Sequence, residues 1–440
     1  MRVQASGAGA PVSVRQSTAA SSQIRWPWFL PDGKHYVYLV AAPAANTGIY
    51  VGSLDSADTH RLGDGTSNAA YAAGYLLFVR STTLVAQRLD LKRFRLTGEP
   101  MTVAEGVRGG GVNALFQFAV SSSGVISFRA GGTAVSQLAW LDRSGHQIAT
   151  VGPPGDYLNP ELSPDGKRVA FERGGTQGDR DVWLLDLTRE VFTRFTLDPA
   201  TDQMPVWSPD GSRIAFGSNR TGRFVELYQK LANGAGKEEV LFQSDNDKTV
   251  YDWSRDGRFI VFRRFESAGY ANIWLLPMFG ERKAVPFSPS PFVQSVGRVS
   301  PDGRWIAYQS NESGPFQIYI QSFPSAAGGK WQVSAGGGVY PRWSRDGREL
   351  FYLAADGQLM AVPVRITGAR SDLVPDLGTP KPLFDARLVG GSSTAVGFRA
   401  QYDVAPDGQR FLVNLETGSS DSPITVVVNW QSGLAARETR

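Results

Sequence analysis

The phrase Ser-Pro-Asp-Gly stands at 163–166, 208–211 and 300–303, with close variants at 30–33, 254–257, 344–347 and 405–408. Between Asp165, Asp210, Asp256, Asp302 and Asp346 the intervals are 45, 46, 46 and 44 residues. A fixed period of this size means one supersecondary unit copied many times. It sets the fold class before any single residue is weighed, and it warns against reading each aspartate as chemistry.

Within one period, residues 204–207, 213–218, 225–230 and 239–242 read as four short strands separated by turn-forming residues. Four antiparallel strands per period is the signature of a propeller blade. The second strand recurs at 168–171, 213–216, 259–262, 305–308 and 349–352, largely apolar on both faces, as expected for a blade packed between two neighbours. In the turn, Pro fixes φ, Asp caps through its side chain and Gly takes positive φ without steric cost. Asp32, Asp165, Asp210, Asp256, Asp302, Asp346 and Asp407 are therefore expected to be structural turn residues. Tryptophans just before the turn, Trp207, Trp253 and Trp343, read as packing anchors.

The N-terminal part follows the same grammar with weaker spelling. Nine units begin near 26, 69, 116, 159, 204, 250, 296, 340 and 401. The last lacks an obvious fourth strand after 425–430, and residues 11–15 of the tail are a candidate to complete it. The expected organisation is a tail over 1–24, three repeats over 25–150, six repeats over 151–432 and a short tail over 433–440. The fold class is all-β, a propeller with either a six-bladed ring plus three blades or one ring of eight or nine. Three open blades would expose an edge, which counts against the split.

One position separates the two groups of repeats. Four residues before the turn aspartate, the last six units read Glu161, Val206, Asp252, Arg298, Arg342 and Asp403, and the first three read Trp28, Ala69 and Ala119. Innermost strands line a propeller's axis, and unpaired buried charges are costly. Glu161, Asp252, Arg298, Arg342 and Asp403 are thus expected to form a mutually paired, water-filled ring, and they are the binding-site candidates.

The rest of the sequence offers little chemistry. Lys and Arg number 45 against 41 Asp and Glu, and no dense basic run marks a nucleic-acid face. There is no cysteine, so disulfides and thiolate chemistry are excluded. No run of about 18 apolar residues occurs, so no membrane insertion by this chain is expected. His35, His60 and His146 lack the spacing of a metal site and read as loop or packing residues. Asp245-Asn246-Asp247 resembles a cation loop only faintly, and Asp179-Arg180-Asp181 reads as a self-paired loop. No metal and no cofactor are expected.

The stretch Pro-Val-Trp-Ser-Pro-Asp-Gly-Ser-Arg-Ile-Ala-Phe at 205–216 resembles the TolB-like, WD40-like propeller repeat of bacterial proteins. The phrases at 26–33, 74–80, 140–145 and 424–430 are similar to the C-terminal propeller of acidobacterial-type transmembrane serine/threonine kinases. That resemblance implies an extracytoplasmic sensor module, detached here from any kinase, with association with a membrane kinase as one partner. A cytoplasmic location is the alternative, since no signal peptide or membrane segment is seen. The sequence carries no Gly-rich nucleotide loop, His-Arg-Asp or Asp-Phe-Gly, so kinase activity transfers to no residue. TolB-like propellers also precede prolyl-oligopeptidase-type hydrolases, but no Gly-x-Ser-x-Gly elbow occurs, and Gly390-Gly391-Ser392-Ser393-Thr394 reads as a flexible loop.

Two function classes remain. One is a non-catalytic binding or sensor module for a protein or small ligand. The other is a propeller enzyme, a hydrolase or lyase with a channel site, or the accessory propeller of a peptidase. The missing motifs favour no enzyme activity. The interval from Asp346 to Asp407 is 61 residues, and its extra length over 366–399 is the loop where a partner is expected to bind.

Overall fold

The computed structural model describes residues 23–41, 47–110, 115–121, 123–130, 136–174, 180–222, 224–266, 270–367, 374–391, 399–417 and 424–431. By internal contacts the chain divides into two units, Met1–Ala134 with Gly418–Arg440, and Val135–Thr417.

The larger unit holds six antiparallel sheets. Five follow the chain without interruption, and their first strands are Leu158–Leu162, Asp202–Trp207, Lys248–Trp253, Gln294–Val299 and Val339–Trp343. The fifth adds an extra strand, Lys381–Asp385, beside its third. The sixth sheet joins both ends of the unit. Its inner strands Tyr402–Val404 and Arg410–Glu416 pair with Ser136–Asp142, which pairs with Gln147–Gly155. First strands neighbour one another in a closed circuit.

This corrects the expected closure. The blade near 401 is completed by 136–142 and 147–155, which sequence counting gave to the unit near 116 because they follow it directly. The candidate closing strand at 11–15 lies outside the described residues.

Second strands fill the space between sheets. Val169-Ala170-Phe171, Ile214-Ala215-Phe216 and Ile306-Ala307-Tyr308 are all buried. Each large apolar side chain contributes about 1.5–3 kcal/mol by leaving water.

First strands carry a repeated irregularity. Their register shifts between Leu158 and Glu161, Gln203 and Val206, Val250 and Asp252, Ser295 and Arg298, and Val339 and Arg342. In four of them the residue six before the turn aspartate is left-handed: Asn159 (φ 53), Met204 (φ 56), Val296 (φ 51) and Tyr340 (φ 60). A bulge bends its strand and re-aims the following side chains. For β-branched Val296 this φ is strained, and it persists because both flanking sheets fix the strand. The bulge precedes the position that sequence reading singled out.

The turns behave as the phrase implies. Asp165, Asp210, Asp256, Asp302, Asp346 and Asp407 each accept the backbone N–H two residues on, as Asp32 does from Lys34. The preceding serine hydroxyl donates to the aspartate in five turns, for example Ser208 to Asp210 at 2.5 Å, and accepts the N–H of the residue five on.

The smaller unit has two four-stranded sheets, beginning at Gln23–Phe29 and Ala69–Ala72. A three-stranded sheet follows, in which Phe118–Val120 and Ile126–Arg129 are joined by Ile424–Val427. The strand at 424–427, read from sequence as part of the ninth unit, thus belongs beside 126–129. Trp430 anchors it, donating from Nε1 to the Gly124 carbonyl at 2.5 Å and packing edge-on against Tyr75.

Candidate functional site

The five charged candidates come from five different sheets of the larger unit and converge. Arg298 forks onto Glu161, Nη1 to Oε1 at 2.7 Å and Nη2 to Oε2 at 2.9 Å. Arg342 Nη2 reaches the same Oε2 at 2.9 Å. Outer acids flank this core, Asp252 at 3.6 Å from Arg298 and Asp403 at 3.5 Å from Arg342. Residues 137 and 181 apart in sequence could bond in this way only if their sheets surround one axis.

A sixth member was missed. Arg399 is fully buried, donates from Nη2 to the Pro205 carbonyl at 2.7 Å and lies 3.3 Å from Glu161. It supplies charge on the side of the one sheet whose own position is uncharged Val206. No signal pointed to it, because it stands eight residues before its turn aspartate and outside the repeat's ruler.

The expected water-filled ring is not what forms. Glu161, Arg298, Arg342, Arg399 and Asp403 are all buried, and the side chain of Asp252 is 18 % exposed against 13 % for Asp403. Three acids and three guanidiniums balance, so the centre is a neutral plug. Burial would raise the Glu161 carboxyl, but Arg298, Arg342 and Arg399 outweigh it and hold the group well below the usual carboxylate range. Asp252 goes the other way: burial lifts it to about 6 despite Arg298 and the Val299 N–H. Burial likewise raises Asp403, partly opposed by Arg342. Arg399 falls to about 10, through burial first, with Glu161 opposing.

The plug is stitched to the seams between sheets. Asp252 accepts the Val299 N–H and Asp403 the Leu162 N–H, each at 2.7 Å and each from the next sheet. Trp207 Nε1 donates to the Glu161 carbonyl and Trp343 Nε1 to the Arg298 carbonyl, both at 3.0 Å. These two tryptophans are anchors by hydrogen bond as well as by packing, whereas Trp253 bonds within its own turn, to Gly257. At the closing seam, Asn159 bonds Gln401 and Arg399, and Asn414 bonds Gln401 and Tyr157.

Other sequence candidates resolve into structure. Arg180 pairs with Asp156 and Glu172, and Asp181 with Arg194, while Asp179 lies outside the described residues. Around 245–247, buried Lys248 donates to the Asn246 and Ser244 carbonyls and to Glu226. His35 closes on Asp32 at 2.5 Å, and His60 stacks on Phe94. Ser144 and His146 lie 3.3 Å apart, but Asp142 accepts the Ser144 hydroxyl rather than an imidazole N–H, so the three close a hairpin turn. Among the described residues no group of three or more His, Asp or Glu is placed to hold a metal, and no helix is long and apolar enough to cross a membrane. Of the loop at 366–399, residues 368–373 and 392–398 lie outside the described residues. An open cleft of ≈ 510 Å³ lies away from the plug, beside Pro291, Phe292, Tyr319 and Lys330.

Outward-running antiparallel sheets around a closed circuit of first strands define a β-propeller. Residues 126–283 match the family model of the TolB beta propeller domain. A solved structure described as TolB from Agrobacterium tumefaciens superposes with a TM-score of 0.51 at 19% identity, covering 65% of this chain and 100% of that one. The chain is 24% identical over 207 residues to the uncharacterized peptidase YuxL of Bacillus subtilis, covering 37% of this chain and 31% of that protein. It is 28% identical over 87 residues to the Tol-Pal system protein TolB of Alcanivorax borkumensis, 20% of each. The chain therefore spans less than a third of either curated relative. The similarity to a peptidase also overturns the expectation that no enzyme is involved: missing motifs cannot exclude activity when the same repeat occurs in a protein described as a peptidase.

Proposed function

We propose that the larger unit is a rigid recognition module that binds a protein or small ligand on its surface. The observation that carries this is the plug. Its six charges pair among themselves and five of the six residues are buried, which favours faces and loops over a through-channel. The cleft beside Phe292 is one such surface, with Phe292 44% exposed next to the Lys330–Glu312 pair. The sensor role and the extracytoplasmic location rest on resemblance to the kinase propellers. The test is capture from periplasmic and cytoplasmic extracts with the full chain and with Phe292→Ala. A defined partner from one extract, lost with the variant, supports the reading. Identical capture by both proteins places recognition elsewhere, and no specific capture from either extract counts against it.

A second reading, the propeller of a peptidase, is favoured by the YuxL similarity. Co-purification of a separate chain that a serine-directed fluorophosphonate labels supports it, and the absence of any labelled partner favours the first.

A further inference from the structure

We propose that Arg255 and Arg345 form an oxyanion site at the turn-side mouth of the larger unit's axis, taking a carboxylate or a phosphate group. The two arginines stand where the repeat elsewhere has proline. In the six turns this position reads Pro164, Pro209, Arg255, Pro301, Arg345 and Pro406.

The prolines have a visible job. A Cβ on Gly166 would lie 2.9 Å from Pro406, one on Gly211 3.6 Å from Pro164, one on Gly257 3.8 Å from Pro209 and one on Gly347 3.5 Å from Pro301. Each turn glycine thus abuts the proline of the preceding turn, and the turns run head to tail around the axis. Gly303 and Gly408 follow Arg255 and Arg345, and a Cβ on either would meet nothing within 4 Å. The arginine side chains have left the seam.

Arg255 reaches across. Its Nη1 donates to the Arg345 carbonyl at 3.0 Å, two turns further along the chain. Both arginines are exposed, and among the described residues neither guanidinium has an ion-pair partner. The turn aspartates are engaged with their own loops, and the plug below is balanced. The Arg255 pKa is lowered, by burial and then by the Arg345 charge, with Asp252 opposing. The Arg345 charge acts on Arg255 with Asp252 only partly offsetting it, and an anion beside both guanidiniums would relieve that repulsion. The guanidinium fork suits an oxyanion in a way that proline cannot.

The test uses the full chain and its own repeat. Arg255→Pro with Arg345→Pro restores the residue of the other four turns, so the fold is expected to survive. Inorganic phosphate and succinate are titrated separately by calorimetry at low ionic strength. The unaltered chain is expected to bind at least one of them, and the double variant to bind about tenfold more weakly or not at all. Its melting temperature without anion should be unchanged. Binding of phosphate alone assigns a phosphorylated ligand, and binding of succinate alone a carboxylate ligand. Equal binding by both proteins, or none by the unaltered chain, overturns the proposal. If the proline variant does not fold, Arg255→Gln with Arg345→Gln carries the same comparison.

Discussion

The two units use one repeat but differ at its centre. In the larger, the position four residues before the turn aspartate carries charges that meet on the axis and bond across sheets. In the smaller, the same position is Trp28, Ala69 and Ala119; Ala69 lies in an apolar cluster with Val37 and Phe78, and Trp28 packs against it. The strands and turns are common property. What differs is how neighbouring sheets recognise one another. Apolar contacts tolerate rearrangement, whereas Glu161 facing Arg298, Arg342 and Arg399 gives particular sheets particular partners. Fixing register in this way is the best-attested use of buried charge, which is otherwise a poor source of stability.

The strongest challenge to that contrast is Glu161→Ala. It strands three guanidiniums among two acids, and urea unfolding of the larger unit should lose about 3–5 kcal/mol. Ala69→Ser, at the equivalent position of the smaller unit, should cost clearly less. Similar losses would erase the distinction.

The next effect is on pH. Asp252 in the folded state sits near 6, above its unfolded value, so it binds its proton more tightly when folded. Its contribution is present below the unfolded pKa and is lost as pH rises through about 6. Relative to Asp252→Asn, the unaltered chain should lose up to about 3 kcal/mol between pH 4 and pH 7. Thermal melts of both proteins across that range check this, and parallel curves would show that Asp252 does not titrate within the fold.

Trp343→Phe removes one bond across a seam, and chemical unfolding should show a loss of about 1 kcal/mol. Smallest of all is the difference between Asp32→Ala and Asp210→Ala. Each removes a turn cap and should cost about 0.5–1.5 kcal/mol in its own unit. Equal values would show that the turn is shared grammar.

Much of this was legible because the period is local. The turn phrase specifies its own hydrogen bonds, and the ruler of four residues found five of six plug members. The rest was not, because it depends on closure. The strands at 136–155 look like the continuation of the unit near 116, yet they complete the sheet of Tyr402–Val404. Sequence order cannot reveal a pairing between residues 280 apart, such as Ser136 with Glu416. Arg399 escaped notice because it precedes the last first strand, and its partners Pro205 and Glu161 come from other sheets. The charges suggested water because isolated charges are costly to bury, but that cost falls away when three acids and three arginines neutralise one another.

The central claim is that the six sheets close on themselves through the strands Ser136–Asp142 and Arg410–Glu416. Urea unfolding of a fragment spanning 135–417 tests it most directly. A single cooperative transition, with the midpoint of the corresponding transition in the full chain, is the predicted result. A fragment with no cooperative transition would show that the ring does not close by itself.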